Sequence, residues 1–549
     1  RGGEPPVNIL LINPTLEGCP ESLHLGLAAV GTWLETHTDH RAAILDLSFH
    51  RGDWRETLFD HMDRIDADVV GFYVSTPFFP NARTVADYIK QHRPHVVTVA
   101  GGHHPTLEPQ PVIDHPTFDM LVVGEGEIPI RMLMDRLEAG EMPDGIPGLW
   151  WKDEDGQVHK TEKGDPVPHD QIPMLNWDLY PDETLKLVFE LWGMLPVMGS
   201  RGCPYRCSFC AITGVQKLYK GQSFLRFRNP IEVVDEIETN YKKYGHLGLR
   251  LVWFYDLNFL IKPAWLKEFT AEYRKRGLNV ALPWSAYTRA DHIGRLALDH
   301  LKDSGCVQLR VGIEAANETM RNAVYNKEVS QEQLVSAITE LKRMEIAVNG
   351  YFLTGGPGDR PEYLRESLEF AYDHGIEVAT FLIYQPLAGT DIFERAEHVG
   401  VDWSVKEGMD ETARDFFHTP FVMNDHITEK QLVAFHKVTQ FMVGGRLLRK
   451  QIARGGLKWF TGLGKYLYTS KRFGFGTYDA MTYYAYYGRD HLTNPVKYSP
   501  KYGERSATAK LAFKALGTLF KSDKDDPAPW PRVYQAPGTS NVPLPQAPL

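Results

Sequence analysis

Cysteine is scarce in this chain. There are five in 549 residues, too few and too unevenly spread for a disulfide framework. No apolar run reaches the length of a membrane span, and no segment reads as a signal peptide. A reducing cytoplasm is therefore the expected compartment. Positive charge is not in excess: 60 Lys and Arg stand against 70 Asp and Glu, a formal net charge of −10, so bulk attraction to nucleic acid is not expected. A G-x-G-x-x-G loop is missing after the first strand-like run, which argues against a dinucleotide site. What remains is ordinary globular composition, 43% hydrophobic and 24% charged, with length enough for about two to four domains.

The informative stretch is Gly202-Cys203-Pro204-Tyr205-Arg206-Cys207-Ser208-Phe209-Cys210, which places three of the five cysteines in a C-x3-C-x2-C spacing. Leu195-Pro196-Val197-Met198 before it reads as a short buried strand, and Gly202 and Pro204 break it into a loop. Thiolates at this spacing can converge on one iron–sulfur cluster, and clusters usually take four cysteines. Cys19 and Cys306 stand apart, so no fourth lies nearby and one iron would keep an open position. A structural zinc site or a buried group of thiols is the plainer reading, but structural zinc normally takes four ligands, often in paired C-x2-C knuckles.

Strand and helix alternate through the first 140 residues. Val7–Pro14, Ala42–Leu47, Asp68–Val74, His95–Ala100 and Met120–Val123 read as strands, separated by helical periodicity at Leu23–Thr36, Trp54–Ile65, Asn81–His92 and Ile128–Ala139. The pattern predicts a doubly wound parallel sheet with a ligand at the carboxyl ends of its strands. The loops at those ends offer Ser75 and Thr76, then Gly101, Gly102, His103 and Thr106, then Gly124, Glu125 and Gly126. Glycine there lets backbone approach a ligand closely. Residues 141–190 are punctuated by Pro166, Pro168, Pro173 and Pro181, with a hairpin-like turn between short strands at Asp153–Gly156, and read as a linker packed between two domains.

From residue 191 to about 400, five further strand–helix alternations follow the cysteine strand, making six β/α units. That number predicts a partial, open barrel with its polar groups at the strand ends. Those groups are Tyr255 and Asp256, Ser285 and Arg289, Glu314, and Gly355 and Gly356. Glu314 and Arg289 carry the strongest expectation, since a charge near a barrel mouth needs a partner. Residues 401–549 read as a mostly helical cap. Lys430 to Tyr478 holds ten Lys or Arg and no Asp or Glu, interleaved with Phe441, Trp459, Phe460, Tyr466 and Tyr468. A solvated basic face is the plainer reading. The sharper ones are a site for an anionic, partly apolar small-molecule substrate, or peripheral contact with an acidic membrane surface. From Ser522 the composition turns to Pro, Gly, Ser and Asn and reads as a loose tail.

The C-x3-C-x2-C spacing, with Phe209 just before the last cysteine, resembles the signature of the radical S-adenosylmethionine (SAM) enzymes. The loops of residues 1–140 resemble the cobalamin-binding domain that precedes the radical SAM domain in one large subfamily. The resemblance implies a Rossmann- or flavodoxin-like cobalamin-binding domain (1–140), a linker (141–190), a partial (β/α)6 radical SAM barrel (191–400) and a helical cap or substrate domain (401–549). It implies a [4Fe–4S] cluster on Cys203, Cys207 and Cys210. Cobalamin would lie on Ser75, Thr76, Gly101, Gly102, His103, Thr106, Gly124, Glu125 and Gly126. SAM would meet Tyr255, Asp256, Ser285, Arg289, Glu314, Gly355 and Gly356. The D-x-H-x-x-G motif that ligates cobalt in mutase-type cobalamin domains is absent, so a motif histidine is not expected below the cobalt.

What the resemblance implies for activity is a methyltransferase. Reduced cluster and SAM yield a 5′-deoxyadenosyl radical, and methylcobalamin methylates an unactivated carbon, less often phosphorus. An electron donor such as flavodoxin or ferredoxin is implied with it. Two other readings remain open. Anaerobic oxidative cyclases of the magnesium-protoporphyrin monomethyl ester type share the domain order and both cofactors but transfer no methyl group. A cobalamin-binding sensor with an iron–sulfur cluster would cleave no SAM.

Overall fold

The computed structural model describes residues 6–16, 22–222, 224–294, 298–301, 303–376, 378–385, 387, 389–392 and 426–439. Of the expected cap only 426–439 is among them; most of the basic aromatic stretch and the whole tail from Ser522 lie outside the described residues.

Seven strands form the first sheet: β1 (Asn8–Asn13), β2 (Arg41–Asp46), β3 (Val69–Tyr73), β4 (Val97–Gly101), β5 (Met120–Val122), β6 (Leu149–Lys152) and β7 (Val158–Lys160), in the order β2-β1-β3-β4-β5-β6-β7. The first five pair in parallel, with Ile9 opposite Val69 and Val99 opposite Met120. Their near-continuous apolar runs suit strands covered on both faces. β6 and β7 add antiparallel at the edge. Their turn is closed by the Asp153 carboxylate, which accepts the backbone N–H of Asp155 and of Gln157. The segment expected as a linker therefore extends the sheet, and its second half is core: Trp177, Tyr180, Val188 and Trp192 are buried in the same apolar cluster as both sheets.

Beyond this come β8 (Met194–Val197), the two-residue pair β9 (Ser200–Arg201) and β10 (Arg226–Phe227), then β11 (Leu251–Phe254), β12 (Trp284–Arg289), β13 (Cys306–Glu314), β14 (Ala347–Thr354) and β15 (Val378–Ile383). The order β15-β14-β13-β12-β11-β8 is all parallel and follows the chain, so the second sheet is the open six-stranded barrel that the alternation predicts. β9 and β10 form a separate antiparallel ribbon that carries the chain into and out of the cysteine loop. The described part of the cap packs on the barrel: Leu432 lies over Gly355, and the ring of Phe435 meets that of Phe381 at 5.6 Å.

Candidate functional site

The cysteine loop is held from four sides. From the helix behind it (Ala211–Leu218), the Gln216 amide donates to the carbonyls of Cys203 and Tyr205, and the Thr213 hydroxyl donates to the carbonyl of Cys207 at 2.9 Å. From the turn after β13, the carbonyls of Tyr325 and Val324 take the Ser208 N–H (3.1 Å) and hydroxyl (2.5 Å). From after β15, the Ile392 N–H reaches the Ser208 carbonyl at 3.1 Å. From β12, Arg289 reaches the Cys207 sulfur at 3.6 Å and lies over the Tyr205 ring at 3.6 Å.

Burial pushes all three thiols up, Cys210 to about 12. Lys327 and Arg289 oppose this at Cys207, so positive charge stands ready for thiolates. Among the described residues no three His, Cys, Asp or Glu side chains gather where one ion could be held. A cluster that gives each thiolate its own iron does not ask for that convergence. The donors present fit a cluster: three buried or half-buried thiols on one braced loop, with cations beside them.

The SAM candidates divide. Arg289 is at the loop, its Nε donating to Asp291 at 3.0 Å and its Nη2 to the Lys327 carbonyl at 2.5 Å. Glu314 closes β13 in the left-handed region (φ 65°) and pairs with Lys327 at 2.7 Å. Only an over-determined surrounding keeps a non-glycine residue there, and that ion pair supplies part of it. Ser285 is fully buried on β12, on the strand face it shares with Tyr287 and Arg289, and its hydroxyl has no hydrogen-bond partner among the described residues. Gly355 (φ 78°) donates its N–H to Asp359, whose carboxyl burial raises to about 7. Gly356 meets Tyr325: a Cβ there would lie 2.4 Å from its hydroxyl.

Asp256 and Tyr255 make contacts within the protein. The Asp256 carboxylate accepts the Gly199 N–H at 2.9 Å and the Ser200 hydroxyl at 2.5 Å, so it braces the entry to the cysteine loop. The Tyr255 hydroxyl is 2.6 Å from that of Ser22.

A cavity of about 340 Å3 opens at the carboxyl ends of the first sheet. Its floor takes in Leu11, Gly71, Val99 and Val122 of the sheet with Leu27 and Val30 of the helix Leu25–His37. Gly101, Gly102, His103, Thr106, Gly124, Glu125 and Gly126 stand on its rim. The Gly102 backbone needs glycine (φ 107°), since a Cβ would sit 2.8 Å from the Val74 carbonyl. Ser75 and Thr76 are not in the lining. β3 ends in the turn Thr76–Phe78, and the Thr76 hydroxyl lies against His104 at 3.3 Å.

His103 lines the cavity and the His24 ring packs against that of the lining residue Tyr73; desolvation lowers both rings, His24 to about 4. Neutral imidazoles, apolar walls and glycine rims fit a large, mostly apolar cofactor with polar edges.

The opposite wall is made by the cysteine loop's own flanks: Met198 and Arg201 before it, Ile212, Val215 and Tyr219 after it. The sequence reading missed these, as it missed Lys327 and Asp291.

Comparison with known proteins agrees with this architecture. Residues 20–133 match the B12 binding domain and 197–371 the Radical SAM superfamily. An uncharacterized methyltransferase of Pyrococcus horikoshii is 28% identical over 404 residues, covering 71% of this chain and 83% of that protein. The anaerobic magnesium-protoporphyrin IX monomethyl ester cyclase of Rubrivivax gelatinosus is 30% identical, covering 60% of this chain and 58% of its own. The structure is similar in fold to the radical S-adenosylmethionine methyltransferase TsrM of Kitasatospora setae. The TM-score is 0.59 at 20% identity, over 72% of this chain and 76% of that one.

Proposed function

We propose that this chain, which joins a B12 binding domain to a radical SAM domain, is a cobalamin-dependent radical SAM methyltransferase acting on an unactivated carbon, or on phosphorus, of a small molecule. The observation that carries the reading is the shared wall: the residues flanking the cysteine loop close the glycine-rimmed cavity. Two cofactor sites so placed can serve one substrate between them.

Cys203, Cys207 and Cys210 would hold the [4Fe–4S] cluster. Gly101, Gly102, His103, Thr106 and the loop Gly124–Gly126 would hold the cobalamin, and Ser285, Glu314, Gly355 and Gly356 would face SAM. When bound, these groups supply a hydrogen-abstracting 5′-deoxyadenosyl radical and a transferable methyl group. The protein's part is order and exclusion. Arg289 and Lys327 stabilise thiolate charge at Cys207. Glu314 keeps Lys327 in place through a buried pair. Ser285 carries a buried hydroxyl without a hydrogen-bond partner among the described residues, a group whose burial a ligand bond would offset.

Anaerobic reconstitution with iron, sulfide and hydroxocobalamin, followed by metal analysis and turnover with SAM and a reductant, tests this. Expected are about four irons and one cobalamin per chain, and both 5′-deoxyadenosine and S-adenosylhomocysteine on turnover. 5′-Deoxyadenosine alone, with an oxidised product, would replace methyl transfer by oxidative cyclisation. Iron without cobalamin would end the methyl-transfer reading.

A further inference from the structure

Four charged side chains at the seam between the cavity and the cysteine loop form one lattice, two of them buried and two half-buried. Glu125 comes from the turn after β5, Glu127 from the first position of the helix Glu127–Glu138, Arg201 from β9 and Arg226 from β10. Arg201 pairs with Glu127 at 2.6 Å and with Glu125 at 3.3 Å. Arg226 holds Glu125 with both terminal nitrogens, Nη1 at 3.1 Å, and also bonds the Val167 carbonyl. The Val167 N–H donates back to Glu125 at 2.8 Å. Arg201 and Arg226 are register partners in the β9–β10 ribbon, so one carboxylate grips both strands of the ribbon. Arg201 is two residues from Cys203, and Arg201, Glu125 and Glu127 all line the cavity.

Glu127 and Arg226 are buried, and the other two are mostly covered, so separating the pairs is costly. The rim loop Gly124–Glu127 and the ribbon therefore move as one body. A second link runs in parallel. Ile212 and Val215 stand in the cavity wall on the helix that begins just after Cys210, and Gln216 of that helix holds the loop carbonyls. Whatever fixes the cavity wall fixes both ends of the cysteine loop.

We propose that Arg201 is a positioning residue through which occupancy of the cavity and assembly of the cluster stabilise each other. The inference rests on the cofactor assignment proposed above. Coupling of this kind is reciprocal, so it can be read from the cobalamin side alone.

The experiment is anaerobic titration of the full chain with hydroxocobalamin, in cluster-free and cluster-reconstituted forms, for the wild type, Arg201→Met and Arg201→Lys. In the wild type the cluster is expected to tighten cobalamin binding by about five-fold or more. In Arg201→Met the ratio of the two affinities falls toward one, the parallel link through Gln216 keeping the remainder, and Arg201→Lys, which keeps the charge, restores part of what is lost. A purely structural role would lower both affinities together and leave their ratio alone. Equal affinities in the two wild-type forms, or an undiminished ratio in Arg201→Met, overturns the proposal. If Arg201→Met fails to fold, Glu127→Gln is read the same way, since it neutralises the partner at nearly unchanged shape. Absence of cobalamin binding in both wild-type forms would overturn the cofactor assignment and this inference with it.

Discussion

One guanidinium serves both Cys207 and Asp291: Arg289 donates to the sulfur at 3.6 Å and to the carboxylate at 3.0 Å. Asp291 fixes the fork, and the fork places a positive charge against a thiol that is to carry negative charge. Reduction of a cluster there adds an electron, which that charge favours. Arg289→Met is expected to shift the cluster potential to a more negative value and to lower activity by about 10–100-fold, as loss of a group supporting a metal ligand does. Arg289→Lys keeps the charge but not the fork, so most of the potential returns and less of the activity. Redox titration followed by electron paramagnetic resonance checks this, and an unchanged potential in Arg289→Met would count against it.

The cavity predicts a separable effect. Ala29 is buried on the helix Leu25–His37 and lines the cavity floor, away from the cysteine loop. Ala29→Phe places a ring in that space. Overpacking costs about 1–3 kcal/mol, which a chain of this size can absorb. Cobalamin affinity is expected to fall at least about ten-fold, the equivalent of about 1.4 kcal/mol, while iron content after reconstitution stays at the wild-type value. Equal cobalamin content in the variant would remove the cavity from the cofactor's path.

How much of this could be read from the sequence follows from locality. The parallel sheet, the six-unit barrel and the cysteine loop are written in contiguous runs and short spacings, such as Asn8–Asn13 or Cys203–Cys210. The glycine rim was legible for the same reason, since Gly101-Gly102 and Gly124-Glu125-Gly126 sit at strand ends. What the sequence did not show is tertiary. The resemblance places Asp256 by position among the SAM contacts; that its carboxylate accepts bonds from Gly199 and Ser200, more than fifty residues earlier, is visible only in the fold. Residues 141–190 read as a linker packed between two domains, but which of its residues do the packing, Trp177 and Trp192 among them, needed the fold. Lys327 lies in a turn with no motif, and only the fold brings it to Glu314.

Asp256 gives a pH test. Burial raises its carboxyl from 3.8 to about 6, against the opposing bonds from Ser200 and Gly199. The folded state therefore holds a proton that the unfolded state has released between those values. Its contribution is fully present below pH 3.8 and is lost as pH rises through about 6. The difference amounts to about 3 kcal/mol. Asp256→Asn cannot ionise, so its stability relative to wild type should rise by up to about that amount between pH 4 and 7. Chemical denaturation of both cluster-free proteins across this range checks it. A pH-independent difference would mean that the carboxyl titrates alike in both states.

The last prediction concerns the brace under the cysteine loop. Arg228 and Glu236 are buried and pair at 2.6 Å. The same arginine donates to the Met198 carbonyl at 3.0 Å, its backbone N–H reaches the Gly199 carbonyl at 2.9 Å, and its carbonyl accepts the Trp265 indole N–H at 2.7 Å. The pair thus fixes the two residues that lead from β8 into the loop. Removing one member leaves the other charge buried and uncompensated, which costs about 3–5 kcal/mol. Glu236→Leu alone should therefore destabilise the cluster-free protein by about that much. Arg228→Met with Glu236→Leu replaces the pair by apolar groups of similar volume, and most of the stability should return. The loop entry would still have lost its side-chain bond to Met198, so iron retention after reconstitution is expected to stay below wild type in the double variant even where the unfolding midpoint recovers. Recovery of both would make the ion pair a packing element alone; recovery of neither would mean that the arginine's bond to Met198 carries the stability as well as the loop.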